Sequence, residues 1–130
     1  MSLKILVVDD EKDIELLFRQ RFRKALKEGR LELSFAFSGE SALDFLEGSG
    51  SPDVALILSD INMPGMSGFT LLTKVKERFP RLKVMMITAY GDDEHAGRAR
   101  ELGADAFLTK PVDFNALEAI LAKLQPPPES

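Results

Sequence analysis

The chain has 130 residues, a formal charge of -4, 45% hydrophobic and 29% charged residues, which is the balance of one domain with a single core and excludes both a disordered chain and a membrane span. With no cysteine, disulfides, thiolate metal sites and cysteine nucleophiles are excluded, so any chemistry rests on carboxylates, hydroxyls, lysines and one histidine. The acidic balance and the lack of a dense basic run argue against direct nucleic-acid binding. No apolar run has transmembrane length and the amino terminus lacks a signal-peptide pattern, so a soluble, cytoplasmic protein is the expectation.

Residues 3–8 are a short, β-branched apolar run that stops at Asp9-Asp10-Glu11, the pattern of a buried first strand. From Ile14 through Phe18, Phe22 and Leu26 the apolar positions recur at helical spacing, with arginines and lysines on the solvated face. This predicts one amphipathic helix, ended by Gly29. Residues 31–37 alternate as a second strand and residues 38–47 read as a short helix before a Gly/Ser/Pro turn. Residues 54–58 are continuously apolar, as in a strand covered on both faces of a parallel sheet, and Asp60 stands at that strand's carboxyl end.

After the Asn62-Met-Pro-Gly loop, Leu71, Leu72, Val75 and Phe79 mark a third helix, stopped by Pro80. Residues 82–87 form the fourth strand, with Thr88 at its end. Residues 92–102 carry weak helical patterning, Gly103 ends it, and residues 104–109 read as a fifth strand followed by Lys110-Pro111. Asp113 can cap a last helix carrying Leu117, Ile120, Leu121 and Leu124. The expected division is one domain over residues 1–125, with the proline-rich residues 126–130 an extended end or the start of a linker.

Strand then helix, five times, predicts an α/β fold in which a parallel sheet has helices on both faces. Right-handed crossovers then deliver every strand's carboxyl end to one edge. Asp9, Asp10, Asp60, Thr88 and Lys110 therefore share that edge. Three neighbouring carboxylates repel one another unless a cation compensates, and an oxygen-only ligand set favours Mg²⁺, with Mn²⁺ possible. A metal, the Lys110 ammonium and the Thr88 hydroxyl are the parts needed to bind a phosphoryl group, and Asp60 stands where it could attack one to form an acyl phosphate.

The Asp9-Asp10 pair, Asp60-Ile-Asn-Met-Pro-Gly, Thr88-Ala and Lys110-Pro111, in that order and at those strand ends, resemble the receiver domain of two-component response regulators over nearly the whole chain, in particular the chemotaxis-regulator-like type. The resemblance implies a flavodoxin-like, doubly wound five-stranded sheet of strand order 2-1-3-4-5. It implies that Asp60 accepts a phosphoryl group from the phosphohistidine of a sensor histidine kinase or phosphotransfer protein. Asp10 and Asp60 would bind Mg²⁺ directly, Asn62 through its backbone carbonyl and Asp9 through water, while Thr88 and Lys110 hold the phosphoryl oxygens.

The resemblance further implies that Phe107 turns inward as Thr88 moves toward the phosphate, here without the hydroxyl a tyrosine would bring. Met63 and Tyr90 are expected near the phosphate, tuning its hydrolysis, and the Lys110-Pro111 bond is expected to be cis. The output would be a changed surface for a downstream protein or a fused effector domain. On this reading the chain is a signalling phosphoacceptor and not an enzyme, with self-catalysed phosphotransfer and slow autodephosphorylation only.

Three rivals stand beside it. A Mg²⁺-dependent phosphatase of the haloacid dehalogenase type needs a second acid where this chain has Asn62, and a flavin carrier needs a glycine-rich phosphate loop after the first strand. A receiver-like scaffold that is never phosphorylated has no call for the full set of five residues. Taken singly, Asp9 or Asp10 could merely cap a helix. Met85 and Met86 read as core filling, and His95 as a surface residue.

Overall fold

The computed structural model describes residues 3–48, 54–88, 93–110 and 112–124. Tyr90, Pro111 and the tail fall outside the described residues, and with them the expectations for Tyr90, the Lys110-Pro111 bond and residues 126–130. In chain order the elements are β1 (Leu3–Val8), α1 (Asp13–Arg21), α2 (Arg23–Lys27), β2 (Leu31–Ala36), α3 (Gly39–Glu47), β3 (Val54–Asp60), α4 (Gly68–Arg78), β4 (Lys83–Thr88), α5 (Asp93–Glu101), β5 (Ala106–Thr109) and α6 (Phe114–Leu124). The strands form one sheet in the order β2-β1-β3-β4-β5, with every neighbouring pair parallel. This is the expected doubly wound, flavodoxin-like topology.

The period of two along the strands divides the core into two layers. Leu6 and Val8 of β1, Ile57 of β3, and Val84 and Met86 of β4 pack with Leu43, Leu71 and Val75 on the face of α3 and α4. Ile5 and Val7, Leu56 and Leu58, and Met85 and Ile87 pack on the opposite face with Phe18, Phe22 and Leu117 of the α1–α2 and α6 side. Both sets are buried. A strand clothed on both faces has no polar side to spare, which is why β3 reads as a continuous apolar run.

Three helix starts follow capping chemistry, the first at Ser38, which accepts the Ser41 N–H at 3.0 Å ahead of α3. Ser67 accepts the Thr70 N–H at 3.3 Å, so α4 begins at Gly68, ahead of the apolar positions from Leu71 that mark it in the sequence. Asp113 accepts the N–H groups of Asn115 at 3.0 Å and Ala116 at 3.1 Å, the cap expected for α6.

Two expectations are corrected. The single helix predicted after β1 is broken at Phe22, whose backbone (φ -105, ψ 19) leaves helical geometry. The ladder continues through the break, with Phe22 N–H donating to Phe18 at 3.0 Å and Leu26 N–H to Phe22 at 2.9 Å. Phe22 is drawn under the sheet, its ring centroid 6.0 Å from Phe18 and 5.9 Å from Phe114. Aromatic packing thus overrides the uniform helical period. Gly29, at φ +74, closes the turn in a conformation that glycine adopts without strain.

The fifth strand starts at Ala106, two residues later than its apolar pattern, because Asp105 takes over the pairing. Its backbone N–H donates to Val84 at 2.8 Å, while its carboxylate accepts the Val84 N–H at 2.9 Å and the Lys76 ammonium at 2.8 Å. Lys76 also donates to the Leu82 carbonyl at 3.0 Å, so one ion pair clasps α4, β4 and β5. Burial alone would raise the Asp105 pKa, but the bonds from Lys76 and Val84 and the Lys76 charge outweigh it and hold the carboxyl below its ordinary value.

A carboxyl depressed in the folded state contributes stability above its unfolded pKa and loses it as pH falls through the folded one. Asp105→Asn is therefore expected to cost about 1 kcal/mol at neutral pH. The difference from the parent should vanish when urea denaturation is repeated at a pH below the carboxylate range.

Candidate functional site

Register and backbone bonds bring the strand ends together. Val8 lies opposite Ser59, Asp60 opposite Ile87 and Thr88 opposite Thr109, and the Lys110 N–H donates to the Thr88 carbonyl at 2.8 Å. Asp9, Asp10, Asp60, Thr88 and Lys110 thus meet at the carboxyl edge of the sheet, as their spacing in the chain predicted. Asp9 and Asp60 are buried at 1% and 5% exposure, Thr88 at 2%, and Asp10 is exposed.

Lys110 is the cation of this edge. Its ammonium donates to Asp60 Oδ2 at 2.8 Å and stands 3.5 Å from Asp9 Oδ2. Burial by itself would lower its pKa, yet the Asp60 bond and the charges of Asp60 and Asp9 outweigh that and raise it above the ordinary lysine value. Asp60 Oδ1 accepts the Asn62 N–H at 3.2 Å, so both oxygens of that carboxylate are oriented. Thr88 Oγ1 donates to the Leu108 carbonyl at 3.4 Å, a long bond for a hydroxyl and one it can exchange for a better acceptor.

Asp9 is the strained member. Its Oδ1 accepts the Glu11 N–H at 2.9 Å, but its buried Oδ2 accepts no hydrogen bond. Burial, then the charge of Asp60, push its pKa up against the lowering effect of the Glu11 N–H and Lys110. Oxygen atoms of Asp9, Asp10 and Asp60 lie within 4.8 Å of one another. A buried carboxylate oxygen without a donor, facing two further carboxylates, fits a hard cation with oxygen ligands. This acidic pocket can hold a metal ion.

The chain belongs to a known family. Residues 5–122 match the model of the response regulator receiver domain, which is the identification made from the strand-end residues. This receiver is 35% identical over 123 residues to the response regulator protein FleR of Pseudomonas aeruginosa, a match covering 95% of this chain and 24% of FleR. It is 34% identical over 126 residues to sporulation initiation phosphotransferase F of Bacillus subtilis, covering 97% of this chain and 96% of that protein. The receiver domain of NtrX from Brucella abortus has a TM-score of 0.77 at 33% identity, over 92% of this chain and 96% of that one.

The chain thus spans about a quarter of the length of FleR and nearly all of the Bacillus protein. Receiver domains of two-component signalling are phosphoacceptors and not enzymes in the usual sense, and this chain belongs to that family. The phosphatase and flavin-carrier readings lapse with the family assignment. Among the described residues no helix is long and apolar enough to cross a membrane.

Some side chains stand elsewhere than expected. Met63, expected near the phosphate and as a stiffener of the loop behind Asp60, is 8% exposed and packs into the core with Ile61 and Leu71, while Asn62 and Pro64 of that loop are exposed. The apolar thioether gains more from the core than from the polar rim. His95 is half-buried and meets the Phe69 ring edge-on at 5.5 Å, so it is not the plain surface residue expected.

Phe107 is half-buried, and the Arg100 guanidinium stands 5.0 Å from its ring centroid. No spacing rule in the sequence signals that contact, because α5 and β5 meet through the turn at Gly103. The Asn62 N–H bond to Asp60 was likewise illegible, since it depends on the backbone of one loop.

Gly68 lets that loop close on the site. A Cβ there would lie 2.7 Å from Ile61 Cα and would also meet the Asp60 carbonyl oxygen. Gly68→Ala is expected to destabilise the fold by about 1–3 kcal/mol, read by urea denaturation.

A second expectation concerns charge. Because the folded state raises the Asp9 pKa, the ionised carboxylate opposes folding above that value, and the penalty fades as pH falls toward the unfolded one. Asp9→Asn should therefore raise the denaturation midpoint at neutral pH in chelator, with the gain shrinking in acid.

Proposed function

We propose that Asp60 is the phosphoacceptor and that it takes its phosphoryl group from the phosphohistidine of a sensor histidine kinase or phosphotransfer protein. The observation that carries this is the buried Asp60 carboxylate, held on both oxygens by the Asn62 N–H and the Lys110 ammonium at an edge where three acids converge. An Asp60 oxygen attacks phosphorus, the O–P bond forms as the P–N bond breaks, and the imidazole leaves with the electron pair and takes a proton. Lys110 releases Asp60 Oδ2 and turns to the arriving phosphoryl oxygens, so its charge stays beside the developing negative charge.

Mg²⁺, with Mn²⁺ as a substitute, would be held by Asp10 and Asp60 directly, by the Asn62 carbonyl and by Asp9 through water. Its chemistry is to neutralise charge on the carboxylates and the phosphoryl oxygens as they approach. The Thr88 hydroxyl exchanges its long bond to Leu108 for a phosphoryl oxygen. Phe107 and Tyr90 follow that movement and alter the face of α5, β5 and α6.

The partners on either side of the switch are then a kinase or phosphotransfer protein and a downstream protein or fused effector domain, in the cytoplasm. Similar receivers occur both in the Bacillus phosphotransferase, matched over 96% of its length, and in FleR, matched over 24%, so either arrangement accords with the proposal.

Intact-mass spectrometry after incubation with acetyl phosphate and Mg²⁺ tests the assignment. One phosphoryl adduct, labile to base, is expected, and none in Asp60→Asn or in chelator. An adduct that survives Asp60→Asn would move the phosphoacceptor elsewhere. Independently, Mg²⁺ at about 100 times its Kd should stabilise the parent by about 2.7 kcal/mol, and Asp10→Asn should lose most of that gain.

A further inference from the structure

The protein carries a net charge of -4, yet residues 19–30 hold Arg19, Arg21, Arg23, Lys24, Lys27 and Arg30 against Glu28 alone. All six cations are exposed. Spread round one continuous helix they would be a solvated face. The break at Phe22 and the turn at Gly29 instead wrap the stretch around the amino-terminal ends of β1 and β2.

That end of the sheet holds a groove of about 360 Å³ between α2, the strand starts and the last turns of α6, a size within the range of ligand pockets. Its floor is apolar, formed by Phe22, Leu31 and Leu121, each 6% exposed. Its rim is cationic, with Arg21, Lys24 and Arg30 against Glu118. Arg21 is committed to Glu118 at 2.8 Å and Asn115 at 3.2 Å, and Arg30 to Glu28 at 2.8 Å. Lys24 forms no ion pair among the described residues.

The groove lies at the opposite end of the strands from Asp60, about 20 Å away along a six-residue strand. It is separate from the phosphoacceptor edge, and opposite to it in charge.

We propose that this groove docks an acidic peptide segment of a partner protein, with one apolar side chain of the segment seated on the floor formed by Phe22, Leu31 and Leu121. The cations of α2 and the following turn attract the segment and fix its path, and the apolar recess supplies the anchor. A phosphate backbone would use the cations and leave the apolar recess unfilled. A lipid surface offers no side chain to enter a concavity. The chemistry of floor and rim together therefore selects a peptide.

The test uses the 130-residue chain and fluorescence anisotropy. The probes are fluorescein-labelled acidic peptides with one central Leu, Phe or Trp, the same peptides with Ala in that place, a single-stranded oligonucleotide of equal charge, and phosphatidylserine vesicles. Saturable, salt-sensitive binding of at least one apolar-centred peptide is expected, weakened at least about 10-fold by the central Ala. It should be weakened likewise by Lys24→Glu with Arg30→Glu and by Ala122→Trp, which fills the groove, with circular dichroism and Asp60 phosphorylation unchanged.

No saturable peptide binding would overturn the proposal. So would equal binding of the Ala-centred peptides, which would mean attraction by charge alone, or tighter binding of the oligonucleotide or the vesicles. The peptide comparison needs no variant of the protein, so a misfolded variant cannot obscure the result.

Discussion

The contact on which the site depends is the Lys110 ammonium between Asp60, at 2.8 Å, and Asp9, at 3.5 Å. Two buried carboxylates with a third beside them would be an untenable concentration of negative charge without it. One lysine compensates only part of that charge. Asp9 keeps a buried oxygen without a hydrogen bond and a raised proton affinity, so the edge remains short of positive charge. That deficit is the physical basis for reading it as a cation and phosphoryl site, since folded proteins rarely leave such a group unsatisfied without a functional reason.

Holding the deficit in place takes a rigid frame. The sheet supplies it, because its central strands are buried on both faces and cannot slip by one residue without turning one core layer into the other. Away from the site, the Lys76–Asp105 pair fixes where β5 begins against β4 and hence where Lys110 arrives four residues after Ala106. The loop that follows Asp60 is fixed from the other side, by Gly68 lying against the backbone of Asp60 and Ile61. Stability and function are therefore joined through backbone register, with few direct contacts between the frame and the acids.

Charge is also divided along the strand axis. The carboxyl edge gathers Asp9, Asp10 and Asp60, while the amino edge gathers Arg21, Lys24 and Arg30 over an apolar recess. A net charge near -4 conceals this separation, because a sum carries no position. Such a molecule presents different partners with opposite fields at its two ends.

The sequence by itself determined the alternation of strands and helices, the five chemistry-bearing residues and the edge they share. Periodicity and strand-end position are local properties, and right-handed crossovers convert them into one location. The caps at Asp113 and the stop at Pro80 were legible for the same reason. Only the tertiary structure decided that Phe22 breaks the first helix, since that follows from its packing with Phe18 and Phe114 across the chain. It alone turned Met63 into the core, set Arg100 over Phe107, and gathered the cations of residues 19–30 around a groove. Each of these rests on which surfaces meet after folding, and a one-dimensional pattern holds no record of that.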